Sequence, residues 1–157
     1  MQSISWTGLQ RRLADRYDRI PALKAVVDAI VRSETDIEAV ILFGSLASGE
    51  CVRSSDADVI FLYALEDVDF IESSIRLRSL DPDGIMEPFT YTTGSFQRMI
   101  QDVNQVAWDA MSGGLVLYSR DETVERLETL MEEVRSAKGV APGDNGYVIQ
   151  GIRGNGA

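Results

Sequence analysis

This sequence predicts an α+β fold, a small mixed β-sheet flanked by helices, on three observations. Residues 39–43 and 59–63 are short apolar runs bounded by polar residues, the signature of buried strands. Before and after them, apolar residues recur at three- and four-residue spacing, as on helices that lay one stripe on a core. The elements follow in the order helix, strand, strand, helix, strand, helices, with no internal repeat, which suits one sheet with helices packed around it.

Taken in order, Trp6, Leu9, Leu13 and Tyr17 mark a first helix and Leu23, Val26, Val27, Ile30 and Val31 a second, with Pro21 interrupting between them. After the two strands, Val68, Ile71, Ile75, Leu77 and Leu80 predict a helix, ended by the turn Asp81-Pro82-Asp83-Gly84. Residues 85–91 read as a third strand; Pro88 lacks an N–H to donate, so this strand belongs at a sheet edge or breaks its pairing there. Thr92 or Thr93 is placed to cap a helix carrying Phe96, Met99, Ile100 and Val103, and more helix follows through Ala107, Trp108 and Met111. Residues 115–118 form a further apolar run. Val124, Leu127, Met131 and Val134 mark a last helix over 121–138, acidic at its start as the helix dipole favours. The remaining 139–157 hold six of the 13 glycines and show no period, so they are expected to be a flexible tail beyond a domain of residues 1–138, whose core spans about 34–120.

The chain has 157 residues, 45% of them hydrophobic and 25% charged, enough to bury one core in one domain. With no histidine and only Cys51 as a thiol, Ser-His-Asp and Cys-His catalysis, histidine- or cysteine-cluster zinc sites and internal disulfides are excluded. A reducing, cytoplasmic setting is the expectation, since residues 1–20 show no secretory pattern and no apolar run is long enough to span a membrane. A net charge of -10 argues against non-specific nucleic-acid binding, which relies on a basic surface. Thirteen of the 15 basic residues are arginine, a skew that reads as genome composition more than as function.

The chemistry concentrates between the two strands. Phe43-Gly44-Ser45-Leu46-Ala47-Ser48-Gly49 is followed, after five residues, by Ser55-Asp56-Ala57-Asp58-Val59. Residues two apart in a strand share a face, so Asp56 and Asp58 project together into one cleft while Ala57 and Val59 face the core. Such a pair is a hard oxygen site suited to magnesium, which takes one or two carboxylates and the oxygens of a bound phosphate. Glu87, on the later strand, is the candidate third carboxylate, able to complete a two-metal site. Gly44 and Ser45 open a helix after a buried strand, where backbone N–H groups favour phosphate. Gly49 permits the chain reversal and Ser55 tightens the turn before the strand. Arg53 is either a phosphate contact or a solvated loop residue. Each feature alone is common: an Asp-x-Asp is usually a turn or exposed strand edge, and a lone strand glutamate usually faces solvent. Their joint spacing carries the case.

That spacing, Gly-Ser, three residues, Gly, five residues, Ser-Asp-x-Asp, resembles the active-site motif of the nucleotidyltransferase superfamily that includes DNA polymerase beta. Glu87, the following Tyr-Thr turn and the Gly114-Leu115-Val116-Leu117-Tyr118 run extend the resemblance over roughly residues 34–120, nearest the minimal, antitoxin-like members. It implies Asp56, Asp58 and Glu87 as catalytic and metal-binding residues for Mg2+ or Mn2+, and Gly44 and Ser45 on the phosphates of a nucleoside triphosphate, expected to be ATP. It implies transfer of a nucleoside monophosphate, expected to be AMP, to an acceptor hydroxyl; in minimal members that acceptor is often a partner protein, such as a HEPN-type ribonuclease toxin. The alternative is a nucleotide-binding or partner-binding module on the same fold that acts by contact alone. One departure is local: where relatives often have Tyr-Thr-Pro-Glu-Glu-Phe, this chain has Tyr91-Thr92-Thr93-Gly94-Ser95-Phe96, which touches a helix cap and not the carboxylates.

Overall fold

The computed structural model describes residues 1–150. A five-stranded mixed sheet forms its centre, built from β1 (Gln2–Ser3), β2 (Ile37–Phe43), β3 (Ala57–Tyr63), β4 (Met86–Thr92) and β5 (Leu115–Ser119) in the order β1-β5-β2-β3-β4. β2 runs antiparallel to both β3 and β5, whereas β3 and β4 are parallel, as are β1 and β5. The α+β class read from the sequence is therefore the architecture. β4 lies at the edge, where Pro88 interrupts no further ladder.

Helices cover both faces, which is why the central strands are continuously apolar over 39–43 and 59–63 instead of alternating. Alternate residues Val40, Leu42, Ala57, Val59, Phe61 and Tyr63 pack with α1 (Trp6–Leu13) and α2 (Ile20–Ser33). The opposite set, Ala39, Ile41, Ile60 and Leu62, packs against α5 (Thr93–Gln101), α6 (Gln105–Gly113) and α7 (Thr123–Lys138). The remaining helices are α3 (Gly44–Ser48), directly after β2, and α4 (Phe70–Ser79), which joins β3 to β4. α2 buries Ile20, Leu23, Val26, Val27 and Ile30, each contributing about 1.5–3 kcal/mol by leaving water. Pro21 sits in its first turn, where the missing N–H costs nothing, so it starts the helix. Thr92 caps α5, its hydroxyl accepting from the N–H of Ser95 at 2.9 Å.

The structure departs from expectation in four places. Gln2–Ser3 is a strand, where only helix was read up to Val31; two residues are too few to show a period. Val103 (φ 55°) separates α5 from α6, and Asp121 and Glu122 (φ 54° and 57°) lie outside α7, which starts at Thr123 with Glu125 as its first-turn acid. Of the stripe that marked α4, Leu77 is buried together with Ser73 and Ser74, while Ile71 and Ile75 are 70% and 65% exposed.

The fourth departure is the expected tail. Residues 140–149 form a hairpin of β6 (Val140–Gly143) and β7 (Gly146–Ile149). It packs against α6 and α7: Val140 is buried, the Tyr147 ring lies 5.2 Å from that of Trp108, and the Tyr147 hydroxyl reaches Ser112 Oγ at 3.2 Å. One aromatic ring pair, one side-chain hydrogen bond and a ladder give this segment the surface that its glycine content seemed to deny it. The rest of the expected tail, 151–157, lies outside the described residues.

Candidate functional site

The sheet register assembles the site. Because β2 and β3 are antiparallel, the end of β2 faces the beginning of β3, and Phe43 is paired with Asp58. Because β3 and β4 are parallel, the beginnings of both lie side by side, and Asp58 is paired with Glu87. The Gly44-Ser45 turn, Asp58 and Glu87 thus come together on three adjacent strands, with Asp56 just ahead of β3. Strand alternation puts Asp58 on the face of Ile60 and Leu62, and Glu87 on that of Phe89 and Tyr91, both toward α5–α7. Phe43 and Phe89 meet edge to face there, ring centres 5.3 Å apart, and floor the site with apolar surface.

Gly44 turns out to serve the carboxylate as well as the turn. Its φ of 70° lies in the left-handed region, and a Cβ there would collide with Asp58 Oδ2. The backbone between β2 and α3 therefore runs directly against the Asp58 side chain. α3 is only five residues long and ends at Gly49 (φ 85°), whose N–H closes on the Ser45 carbonyl at 3.0 Å. Two arginines of the N-terminal region brace this turn: Arg12 donates to the Ala47 carbonyl at 3.0 Å and Arg16 to that of Gly49 at 2.7 Å. Ser55 Oγ accepts from the Val52 N–H at 2.9 Å, the tightening role read from the sequence. Arg53 is exposed in the same loop, and Cys51 beside it is 4% exposed.

Asp56 is exposed; Asp58 and Glu87 are half-buried. Burial, then the negative charge of Glu87, then that of Asp56, raise the Asp58 carboxyl above its ordinary value. Glu87 has a partner that the spacing did not reveal: Arg78 of α4 donates to its Oε1 at 2.6 Å. Asp81 is a second residue missed in the sequence. Its buried carboxylate accepts from the N–H groups of Ile85 (3.1 Å) and Met86 (2.8 Å), fixing the start of β4 and hence the position of Glu87. The Asp-Pro-Asp-Gly string marked a turn, which was the available signal; that its first aspartate is folded inward was not in the string.

Among the described residues, no three His, Cys, Asp or Glu side chains close on one point as metal ligands do. Asp56, Asp58 and Glu87 share one end of the sheet, but Glu87 is drawn toward Arg78. The donor set nevertheless suits a hard divalent cation. It is all oxygen, it sets three carboxylates against one guanidinium, and the Asp58 carboxyl is raised by burial first and then by the charges of the other two. A cation between Asp56 and Asp58 would relieve that repulsion.

A glycine against one of two carboxylates, a third acid on the neighbouring parallel strand and an apolar floor make up the candidate site. The chain belongs to the Polymerase beta, Nucleotidyltransferase family, which it matches over residues 26–123, a span holding every residue of this site. No curated protein matches it. Among solved structures it is similar to a candidate nucleotidyltransferase from Sulfolobus solfataricus (18% identity, 76% of this chain and 91% of that one, TM-score 0.49). It is also similar to a toxin-antitoxin complex with AMP-PNP (17%, 74% and 92%, 0.47) and to the toxin-antitoxin MntA-HepT (13%, 76% and 92%, 0.47). Family membership rests on the match over 26–123, and these likenesses carry no part of it.

Proposed function

We propose that this protein transfers AMP from ATP to an acceptor hydroxyl, with pyrophosphate as leaving group, and that the acceptor belongs to a partner protein in the cytoplasm, a HEPN-type toxin being the candidate class. The observation that carries the reading is the pairing of Phe43 with Asp58 and of Asp58 with Glu87, which sets the Gly44-Ser45 turn beside all three carboxylates.

In this reading Asp56 and Asp58 hold Mg2+ or Mn2+, with Glu87 as third ligand. A bound divalent cation would supply charge stabilisation for the attacking and leaving oxygens. The chain's own groups do the rest. Backbone N–H groups at Gly44 and Ser45 and the Ser45 hydroxyl donate to phosphate oxygens, orienting the triphosphate for in-line attack. Glu87 accepts the proton of the acceptor hydroxyl, which requires its carboxylate to leave Arg78. The Phe43–Phe89 floor keeps water from one side of the reacting groups. The protein-acceptor reading follows the resemblance of the motif to the minimal, antitoxin-like members of the family.

The Arg78–Glu87 ion pair favours a second reading, a nucleotide- or partner-binding module without turnover, because it occupies the third carboxylate. Incubation with alpha-labelled ATP, Mg2+ and candidate acceptor separates the two. The transferase reading expects label on the acceptor and its loss in Asp58→Asn; ATP binding without labelling in the parent, unchanged in Asp58→Asn, would leave only the module.

A further inference from the structure

Helix α4 is built inside out. Its inward residues are Ser73, Ser74 and Leu77, and Ser73 shares a hydrogen bond of 2.5 Å with Thr90 of β4, whereas Phe70, Ile71 and Ile75 stand 47%, 70% and 65% exposed. A helix that served only its own fold would place these the other way round. Leu65, just before the helix, is 43% exposed and adds to the same neighbourhood.

Charge surrounds this apolar ridge asymmetrically. Glu66, Asp67, Asp69 and Glu72 are all exposed, and none of them takes part in an ion pair among the described residues. The two nearby cations are engaged elsewhere, Arg76 with Glu34 at 2.6 Å and Arg78 with Glu87 at 2.6 Å. Between residues 65–69 and α4 lies a hollow of about 170 Å³, lined by Leu65, Asp67, Asp69, Glu72 and Arg76, its three carboxylates outnumbering a guanidinium already engaged by Glu34.

We infer that the outward face of α4 is the docking surface for the acceptor protein, and that it takes a basic, amphipathic segment of that partner: apolar side chains on Phe70, Ile71 and Ile75, and a lysine or arginine in the carboxylate-lined hollow. The inference rests on the reading that the acceptor is a protein. Charge complementarity selects this occupant. Nucleic acid is repelled by four unpaired carboxylates. A second copy meeting the ridge in a two-fold arrangement would set the same four carboxylates against their own image. The placement fits delivery of a hydroxyl to the site. α4 is ten residues long, about 15 Å, and its last turn carries the Arg78 that holds Glu87, so a partner seated on the ridge lies at the border of the carboxylates. Contact there also reaches the ion pair that Glu87 must leave.

The test uses the full chain and a fluorescein-labelled synthetic helical peptide with a leucine stripe flanked by lysines, followed by fluorescence anisotropy, with a glutamate-for-lysine peptide as control. The basic peptide is expected to bind and the acidic one not to. Ile71→Glu with Ile75→Glu should weaken binding by at least about tenfold, as loss of a central apolar anchor does. Glu66→Lys with Asp67→Lys should weaken it too, and added salt should weaken parent binding by screening. The milder Ile71→Ser, Ile75→Ser pair, checked by circular dichroism, guards against misfolding of the glutamate variant. Calorimetric ATP binding should be unchanged in every α4 variant. Absent peptide binding, or binding that ignores these substitutions, overturns the docking surface while ATP binding and labelling still report on the catalytic reading. A dimer in sedimentation velocity that Ile71→Glu abolishes would assign the ridge to a second copy instead.

Discussion

Two helices lean on the same face of the sheet and treat it in opposite ways. α2 turns Leu23, Val26, Val27 and Ile30 inward and leaves lysine, arginine and aspartate to water. α4 turns two serines inward and leaves a phenylalanine and two isoleucines outside. The sequence stripe is equally apolar in both, so periodicity identifies a helix and a ridge but does not say whether the ridge meets the protein's own core or something else. α2 is built to hold the fold together; α4 gives up part of its burial to present a surface, and it stands next to the site, which likewise gives up stability by gathering like charges.

If that contrast is right, the largest effect comes from α2. Ile30→Ala, at a position 0% exposed, should cost about 2–5 kcal/mol, measured as a lowered midpoint in urea unfolding. Next in size is truncation after Lys138. It removes the Tyr147 ring from Trp108 and uncovers α7, and should cost roughly 1–3 kcal/mol, several degrees of Tm. An unchanged Tm would show the hairpin to be carried passively.

Asp58→Asn should move in the other direction. The folded state raises the Asp58 carboxyl above its ordinary 3.8, so near neutral pH the parent bears a charge penalty that the unfolded chain lacks. As pH falls through the raised value the folded parent takes up its proton and recovers; below the ordinary value the penalty is gone. In chelator the variant should therefore melt above the parent at pH 7, by a few degrees at most because half-exposure screens the repulsion, and the gap should close in acid. A gap independent of pH would sink the shared-charge account. The smallest effect belongs to α4: Ile71→Ser should stay within about 0.5 kcal/mol of the parent in the same urea experiment. A loss of 2 kcal/mol or more, on the order of a buried side chain, would erase the contrast between the two helices.

Legibility followed the same division. β2 and β3 were readable because both faces of each are covered and the runs 39–43 and 59–63 within them are apolar at every position. The carboxylates were readable because the distances between Gly44, Ser45, Asp56 and Asp58 are set along a short stretch of chain. Arg78 and Asp81 were not, since what they hold lies across a helix end and a turn where no spacing rule applies. The 140–149 hairpin escaped because the partners of Tyr147, Trp108 and Ser112, are 39 and 35 residues away in sequence. The direction of the α4 ridge escaped because nothing in a single chain's periodicity records a partner.

Cys51, finally, makes the molecule its own reporter. It is the chain's one thiol, shut away at 4% exposure in the loop that leads from α3 to Asp56. A thiol reagent can reach it only when that loop lifts, so the labelling rate counts local openings of the strand end that carries the aspartates, without any engineered probe. Slower labelling on adding ATP with a divalent cation would mean the loop shuts over its cargo; an unchanged rate would mean the cradle is rigid before anything arrives.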